Sequence, residues 1–244
     1  MQQATTPLSI ISQAALARIK LKCEGLSTMR ASIKKFVKIV AETLPILEPI
    51  YEFGSLQVPG QEGFADLRPI FPGKKYLGCD LQAGPGVDRI LDLHRIDLPS
   101  ETVGTVLSLD VLEHVEFVRK AIEEVHRILK PGGILVISSV MKFPIHNYPH
   151  DYWRFTPEGF KSLLKPFHFS FVDFAGNRRF PHTVVGVAFK GPVTKQQLDD
   201  FVIRFEKWKK RWRKPPGALW LALVKALTRP GDIRLYRKVR QKWF

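Results

Sequence analysis

A chain of 244 residues with 45% hydrophobic and 25% charged residues can bury a sizeable core, which excludes a disordered or collagen-like polypeptide. Its 38 Lys and Arg against 23 Asp and Glu leave a formal charge of +15, yet residues 201–244 hold 14 of the basic residues and only 2 of the acidic ones. Twelve of the fifteen excess charges therefore belong to that stretch, and a partner drawn by charge is sought there rather than on the body.

Two cysteines, Cys23 and Cys79, are too few and too far apart for a disulfide framework or a zinc ribbon, and they point to a reduced, cytoplasmic setting. The N-terminus lacks the charged, apolar and small-residue succession of a secretory signal. The most apolar window, Ala218 to Leu227, is interrupted by Lys225, so no spanning helix is expected.

Residues 8–43 read as helical, with Ile33, Phe36, Val37 and Val40 at helical spacing, and Pro45 ends the element. Four apolar runs follow: Ile46–Phe53, Tyr76–Leu81, Ile90–Leu93 and Val103–Leu109. Val115, Val118, Ile122, Val125, Ile128 and Leu129 then step by three and four, predicting a helix halted by Pro131-Gly132-Gly133. Ile134–Val140 is an unbroken β-branched run, and Thr156-Pro157-Glu158 starts another helix, with Thr as N-cap and Pro in the first turn. Phe167–Phe174 and Thr183–Phe189 read as a closing antiparallel pair. Unbroken apolar strands alternating with helices indicate a parallel sheet covered on both faces. The expected fold is α/β: a doubly wound, mostly parallel sheet with an antiparallel C-terminal hairpin, an N-terminal helix, and a basic helical appendage. The boundaries fall at 1–44, 45–192 and 193–244.

In such folds ligands bind outside the carboxyl ends of the strands, at the point where strand order reverses. Four successive strand ends carry an acid: Glu52 with Gly54-Ser55, Asp80-Leu81, Asp92-Leu93, and Asp110 through His114. A carboxylate after the second strand suits a ribose, since its two oxygens can accept from vicinal hydroxyls. A turn at Asp92-Leu93 suits an adenine edge, and Gly54 lets backbone approach a ligand.

Tyr76-Leu77-Gly78-Cys79-Asp80, Leu91-Asp92-Leu93, Leu107 through Val115, and Ile128-Leu129-Lys130-Pro131-Gly132-Gly133 resemble the class I S-adenosylmethionine-dependent methyltransferases, most closely the type 11 group. The resemblance covers about 46–190. It implies a seven-stranded sheet, S-adenosylmethionine as cofactor, and methyl transfer to a nucleophile. It further implies Glu52, Gly54 and Ser55 near the methionine moiety, Asp80 and Leu81 at the ribose, Asp92 and Leu93 at the adenine, and Asp110 beside the sulfonium. The family's closely spaced first-motif glycines are replaced here by Ser55-Leu56-Gln57-Val58-Pro59-Gly60, so this loop is remodelled.

For the acceptor, two histidines, two tyrosines and a tryptophan between positions 146 and 153 make an unusual loop at the same edge. His146 or His150 is the candidate base for a sugar or aromatic acceptor, the alternative being a packed aromatic lid. Asp110, Glu113 and His114, with His146 or His150, are also similar to the carboxylate–imidazole set of metal-dependent members of the superfamily, although no metal ligand is assigned from sequence.

In the basic stretch Val202, Phe205, Trp208 and Trp212 form an apolar stripe among cations, and four of the five tryptophans lie beyond position 207. This pattern suits a peripheral helix on an anionic membrane surface. Packing on the body and nucleic-acid binding are the alternatives. The expected function is therefore S-adenosylmethionine-dependent methylation of oxygen or nitrogen on a small-molecule, glycan or lipid-linked acceptor, at the inner membrane face. The competing reading is a non-catalytic or nucleic-acid-binding protein that keeps this fold.

Overall fold

The computed structural model describes residues 31–57, 63, 65–146 and 149–213. Seven strands form one sheet: β1 (Ile50–Phe53), β2 (Tyr76–Asp80), β3 (Arg89–Ile90), β4 (Val103–Leu109), β5 (Leu129–Val140), β6 (Phe169–Asn177) and β7 (Phe180–Phe189). Their spatial order is β3-β2-β1-β4-β5-β7-β6. Strands β1 to β5 run parallel, and β7 lies antiparallel between β5 and β6. The expected fold class is therefore present. All of β4 and the Ile134–Val140 part of β5 are buried, as strands of a doubly covered sheet should be.

Helices α1 (Ala31–Thr43) and α4 (Lys195–Arg211) cover one face, and α2 (Val118–Ile128) and α3 (Pro157–Leu163) the other. Val118, Ile122, Val125 and Phe160 pack with Val106 and Leu135 under α2 and α3. Across the sheet, Phe36, Phe201, Phe205 and Trp208 pack with Leu107, Ile134, Val136 and Val185. The N-cap read at Thr156 is formed: its Oγ1 accepts from Gly159 N at 3.0 Å, with Pro157 in the first turn. Thr194 and Gln197 close a capping box at the start of α4.

The aromatic stripe of the basic stretch faces the sheet. Phe205 and Trp208 are buried beside Phe36, and Trp208 Nε1 donates to Ser32 O at 2.7 Å. Lys209 Nζ lies 2.6 and 2.7 Å from the Asp173 carboxylate oxygens. Burying rings of this size contributes about 2 kcal/mol or more each, so Phe205 and Trp208 are held in the core rather than offered to a bilayer. α1 and α4 form one packed layer with the sheet, across the boundaries drawn at 44 and 192. The apolar window Ala218 to Leu227, the rest of the basic stretch to 244, and the helical reading of 8–30 fall outside the described residues. Among the described residues, no helix is long and apolar enough to cross a membrane.

Two elements differ from their sequence outlines. Residues 112–114 form a 3₁₀ turn, so α2 begins at Val118 rather than Val115. It also ends at Ile128, before the Pro-Gly-Gly turn, because Leu129 turns extended and pairs with Val103 while its side chain enters the core. The chain then bulges before Ile134 resumes pairing with Thr105. Strand order reverses between β1 and β4, which places the ligand crevice at their carboxyl ends.

Candidate active site

At the end of β2, Asp80 accepts from Leu56 N (Oδ2, 3.3 Å) and Gln82 N (Oδ1, 3.2 Å). A carboxylate has about four lone-pair sites, so capacity for a diol remains. Leu81 is 55% exposed and Ile90, at the end of β3, is 63% exposed, and two bare apolar side chains at strand ends offer faces to a planar base. Asp92 is exposed, and its Oδ1 lies 2.8 Å from both His94 N and His94 Nδ1. Asp110 takes a left-handed conformation (φ 56°) at the end of β4, one that Asp tolerates better than most residues. Ser138 Oγ donates to Asp110 Oδ1 at 2.8 Å.

The remodelled first loop is held by glycines on the opposing segment. Gln57 N donates to Pro85 O at 2.9 Å, and a Cβ on Gly86 would stand 2.5 Å from Ser55 O. A Cβ on Gly78 would stand 2.0 Å from Gly86 O. Arg68 secures this segment, donating to Gly86 O at 2.9 Å and Asp88 Oδ2 at 2.7 Å. Gly84 and Gly86 thus let this segment approach the 55–57 backbone and the Leu56 side chain closely. Gly54 itself is exposed with φ +83°, and its missing Cβ makes room for Val111.

Three of the residues expected at the cofactor turn their side chains inward. Glu52 is buried and accepts from Tyr76 Oη at 2.6 Å. Burial raises its carboxyl to about 7, and burial together with the neighbouring Glu52 pushes the Tyr76 phenol upward. Ser55 Oγ donates to Cys79 O, and Leu93 lies in the core. Gly54, Asp80, Leu81, Asp92 and Asp110 remain at the carboxyl edge.

The acceptor side is built from the 110–115 turn and the segment after β5. Residues 152–155 are strapped along that turn: Tyr152 N donates to Glu113 O at 2.8 Å and Trp153 Nε1 to Val115 O at 2.9 Å. Asp151, with a side chain only 1% exposed, is gripped by both terminal nitrogens of Arg154, and its Oδ2 accepts from His146 N at 2.8 Å. The Arg154 hydrogen bonds hold the Asp151 carboxyl well below the usual carboxylate range. His146 Nδ1 faces two acceptors at 3.2 Å, Asp151 Oδ2 and Pro144 O, so the ring's hydrogen belongs there and the lone pair on Nε2. The ring of His146 stands edge to face with that of His114 at 4.8 Å between centroids.

His114 points Nδ1 at His150 O, 2.6 Å away, which also leaves its lone pair on Nε2. Burial lowers its pKa, favouring the neutral ring. Glu113 lies fully buried below, accepting from Ser139 Oγ at 2.6 Å. The two candidate bases thus part company: His146 sits in the cluster, whereas His150 contributes its carbonyl and leaves its ring exposed beside Tyr152. Sequence reading passed over Asp151 and Arg154, whose three-residue spacing on an extended segment gives no periodic signal. It also passed over Ser138-Ser139, whose two hydroxyls interrupt an apolar strand and were the available clue.

The strand order and the acids at the β2, β3 and β4 ends define an open α/β fold whose candidate site lies at the carboxyl edge of the sheet. Residues 74–137, about a quarter of the chain, match the sequence model of a family described as a methyltransferase domain. No curated protein matches the chain. Among solved structures, similarity extends to the complex of the Haloferax volcanii Trm112 methyltransferase activator with its methyltransferase, at 15% identity over 73% of this chain and 97% of that one, TM-score 0.51. The CurJ carbon methyltransferase aligns at 16% identity over 77% of this chain and 62% of that one, TM-score 0.51. A Thermotoga maritima S-adenosylmethionine-dependent enzyme, described as a possible histamine N-methyltransferase, aligns at 17% identity over 72% and 95%, TM-score 0.50. At these identities the structures establish the fold alone. The chain has the fold of the class I S-adenosylmethionine-dependent methyltransferases, and the stretch 74–137 within it matches the methyltransferase-domain family. The carboxyl edge fits that cofactor, with a carboxylate at Asp80 that retains lone pairs for a diol and the bare side chains of Leu81 and Ile90 for a base.

Proposed function

We propose that this enzyme methylates an oxygen or nitrogen of a small acceptor, free or carried on a glycan or lipid, in the mouth between 110–115 and 142–155. Bound S-adenosylmethionine supplies an electrophilic methyl group on a sulfonium. Asp80 holds the ribose hydroxyls, Leu81 and Ile90 flank the adenine, and Asp92 meets its edge. Asp110 lies at the switch point, where a carboxylate favours the sulfonium charge. His146 is the acceptor-side residue. The observation that carries this reading is its pairing with a clamped, buried Asp151, which orients the ring and leaves Nε2 to take the acceptor's proton. Exposed Tyr152 and Trp153 give the mouth amphipathic ring faces suited to a sugar or an aromatic ring.

Isothermal titration with S-adenosylhomocysteine tests the cofactor half. Wild type should bind, and Asp80→Ala should bind about 10- to 100-fold more weakly, the loss expected when charge-assisted hydrogen bonds to a diol disappear. An unaltered affinity in Asp80→Ala would remove Asp80 from the site, and no binding by wild type would overturn the reading.

A further inference from the structure

The hairpin between β6 and β7 turns over at the carboxyl edge of the sheet, beside the acceptor bank. Asn177 pairs with Phe180, so Arg178 and Arg179 are the two residues of the turn itself. Asn177 Oδ1 accepts from Arg179 N at 2.8 Å, which fixes the turn with both arginines exposed. Because β7 runs antiparallel to β5, its first residues meet the last of β5. Val140 pairs with Thr183, and Met141 N donates to His182 O at 3.3 Å. The next residue, Lys142, opens the acceptor segment, and its Nζ stands 5.3 Å from the centroid of the exposed Phe180 ring. α4 ends at the same place, since His182 Nε2 lies 3.3 Å from Trp212 O. Its last turn brings exposed Lys210 and Arg211 to this edge. The neighbouring acids are already matched, Asp173 by Lys209 and Asp151 by Arg154. Among the described residues, no carboxylate lies within ion-pair distance of Arg178, Arg179 or Lys210.

We propose that Arg178 and Arg179, with Lys142, form a subsite for a phosphate group carried by the methyl acceptor. Cations gathered without counter-charges raise the local positive potential and draw anions to it. Guanidinium forks match the oxygens of a phosphate, and a lysine adds a point charge beside them. The inference rests on the acceptor-side reading of the mouth and narrows it to phosphate-bearing acceptors, free or attached to a lipid. Lys142 joins the subsite to the mouth, since it belongs to the segment that carries His146. Along the edge, the phosphate lies toward the β6–β7 turn and the reacting oxygen or nitrogen toward His146, whose Nε2 stays available. The phosphate is not altered. It anchors the acceptor, and anchoring at one end fixes the orientation of the other.

Calorimetric titration of the full-length protein with sodium pyrophosphate, at low ionic strength, tests the subsite. Wild type should bind it, and the double variant Arg178→Ala, Arg179→Ala should bind at least about tenfold more weakly. Lys142→Ala should weaken binding as well. Co-sedimentation with phosphatidylcholine vesicles, plain or containing phosphatidylglycerol, separates the two sources of phosphate. A loss in the double variant seen with pyrophosphate alone assigns the group to a free acceptor, and a loss seen on the anionic vesicles assigns it to a lipid-borne one. Wild type that binds neither probe, or a double variant that binds both as wild type does, would overturn the subsite. A loss in the double variant with Lys142→Ala unchanged would detach the turn from the mouth and overturn its assignment to the acceptor. The substituted arginines are exposed turn residues, so the variants should keep the wild-type melting temperature. S-adenosylhomocysteine is titrated in parallel and should bind all three proteins alike. Cofactor binding without phosphate binding defeats the subsite and spares the methyltransferase reading, whereas wild type that fails to bind the cofactor defeats that reading by itself.

Discussion

The two banks of the crevice are held in different ways. On the cofactor bank, the acids are fixed by neighbouring backbone or by the adjoining strand: Asp80 by Leu56 and Gln82, Asp92 by the amide two residues on, and Asp110 by Ser138 of β5. On the acceptor bank, the order of the 142–155 segment comes from side chains reaching one another: Arg154 to Asp151, Asp151 to His146, and His114 to His150. Sheet register by itself delivers the first bank, whereas the second exists only if its own side chains assemble. Substitutions on the cofactor bank should therefore affect affinity and spare the fold, while those on the acceptor bank should disturb both.

The largest effect is expected at His146. Removing a positioned general base typically lowers turnover by about 10²- to 10⁴-fold, so His146→Ala should lose methyl transfer on that scale and retain S-adenosylhomocysteine affinity. His150→Ala should stay close to wild type, because the carbonyl of His150, rather than its ring, contacts the cluster. Incorporation of radiolabelled methyl into a panel of hydroxyl- and amine-bearing acceptors provides the measurement. Equal losses in the two variants would remove the distinction between the histidines.

The difference between the banks also explains what was legible in the sequence. Acids that end apolar runs are visible in a linear text because a strand's end is fixed by its own residues, so the positions of Asp80, Asp92 and Asp110 at the carboxyl edge could be read directly. Glu52 ends a run by the same rule, but alternation along a short strand turns its side chain to a face where it meets Tyr76. The mostly parallel sheet with its closing antiparallel pair followed from the succession of runs and turns, whereas the order of its strands did not. The inward face of α4 did not, because the stripe at Phe205 and Trp208 has the same spacing whether it meets a bilayer or Phe36. On the acceptor bank the residue types were legible at His146 and His150, but not their roles. Those depend on Asp151 and Arg154, whose pairing follows from the path of the loop.

Beneath the cofactor bank, Glu52 should set a pH dependence of stability. Its carboxyl is raised by burial from 4.5 to about 7, so between those values the folded protein holds a proton that the unfolded chain has released. Stability attributable to this group is therefore present below about pH 4.5, falls as pH rises to about 7, and is level above it, a span of about 3 kcal/mol. Glu52→Gln keeps an acceptor for Tyr76 and has no proton to lose. The variant should melt near the wild-type temperature at pH 5 and roughly 6–12 °C above it at pH 8. A constant gap across that range would mean that Glu52 ionises in the fold as it does in water.

The smaller stability effect lies on the acceptor bank, where Arg154→Ala leaves the Asp151 carboxylate, 1% exposed, with the His146 amide and ring as its remaining hydrogen-bonding neighbours. Breaking a buried ion pair from one side costs about 3–5 kcal/mol, because the remaining charge is left buried. Arg154 is itself 26% exposed, so water can partly replace it, and about 2 kcal/mol is the expected loss. In a chain of this length that corresponds to a drop of roughly 4–8 °C in melting temperature. Arg154→Lys should recover part of it, since an ammonium restores the charge but not the two-pronged grip. Asp80→Ala should move the melting temperature by no more than about 2 °C, because its partners are solvent-accessible amides in turns that the sheet already defines. Parallel melts of the three variants weigh one bank against the other. If Asp80→Ala proves as damaging to the fold as Arg154→Ala, the cofactor bank depends on its side chains as much as the acceptor bank does.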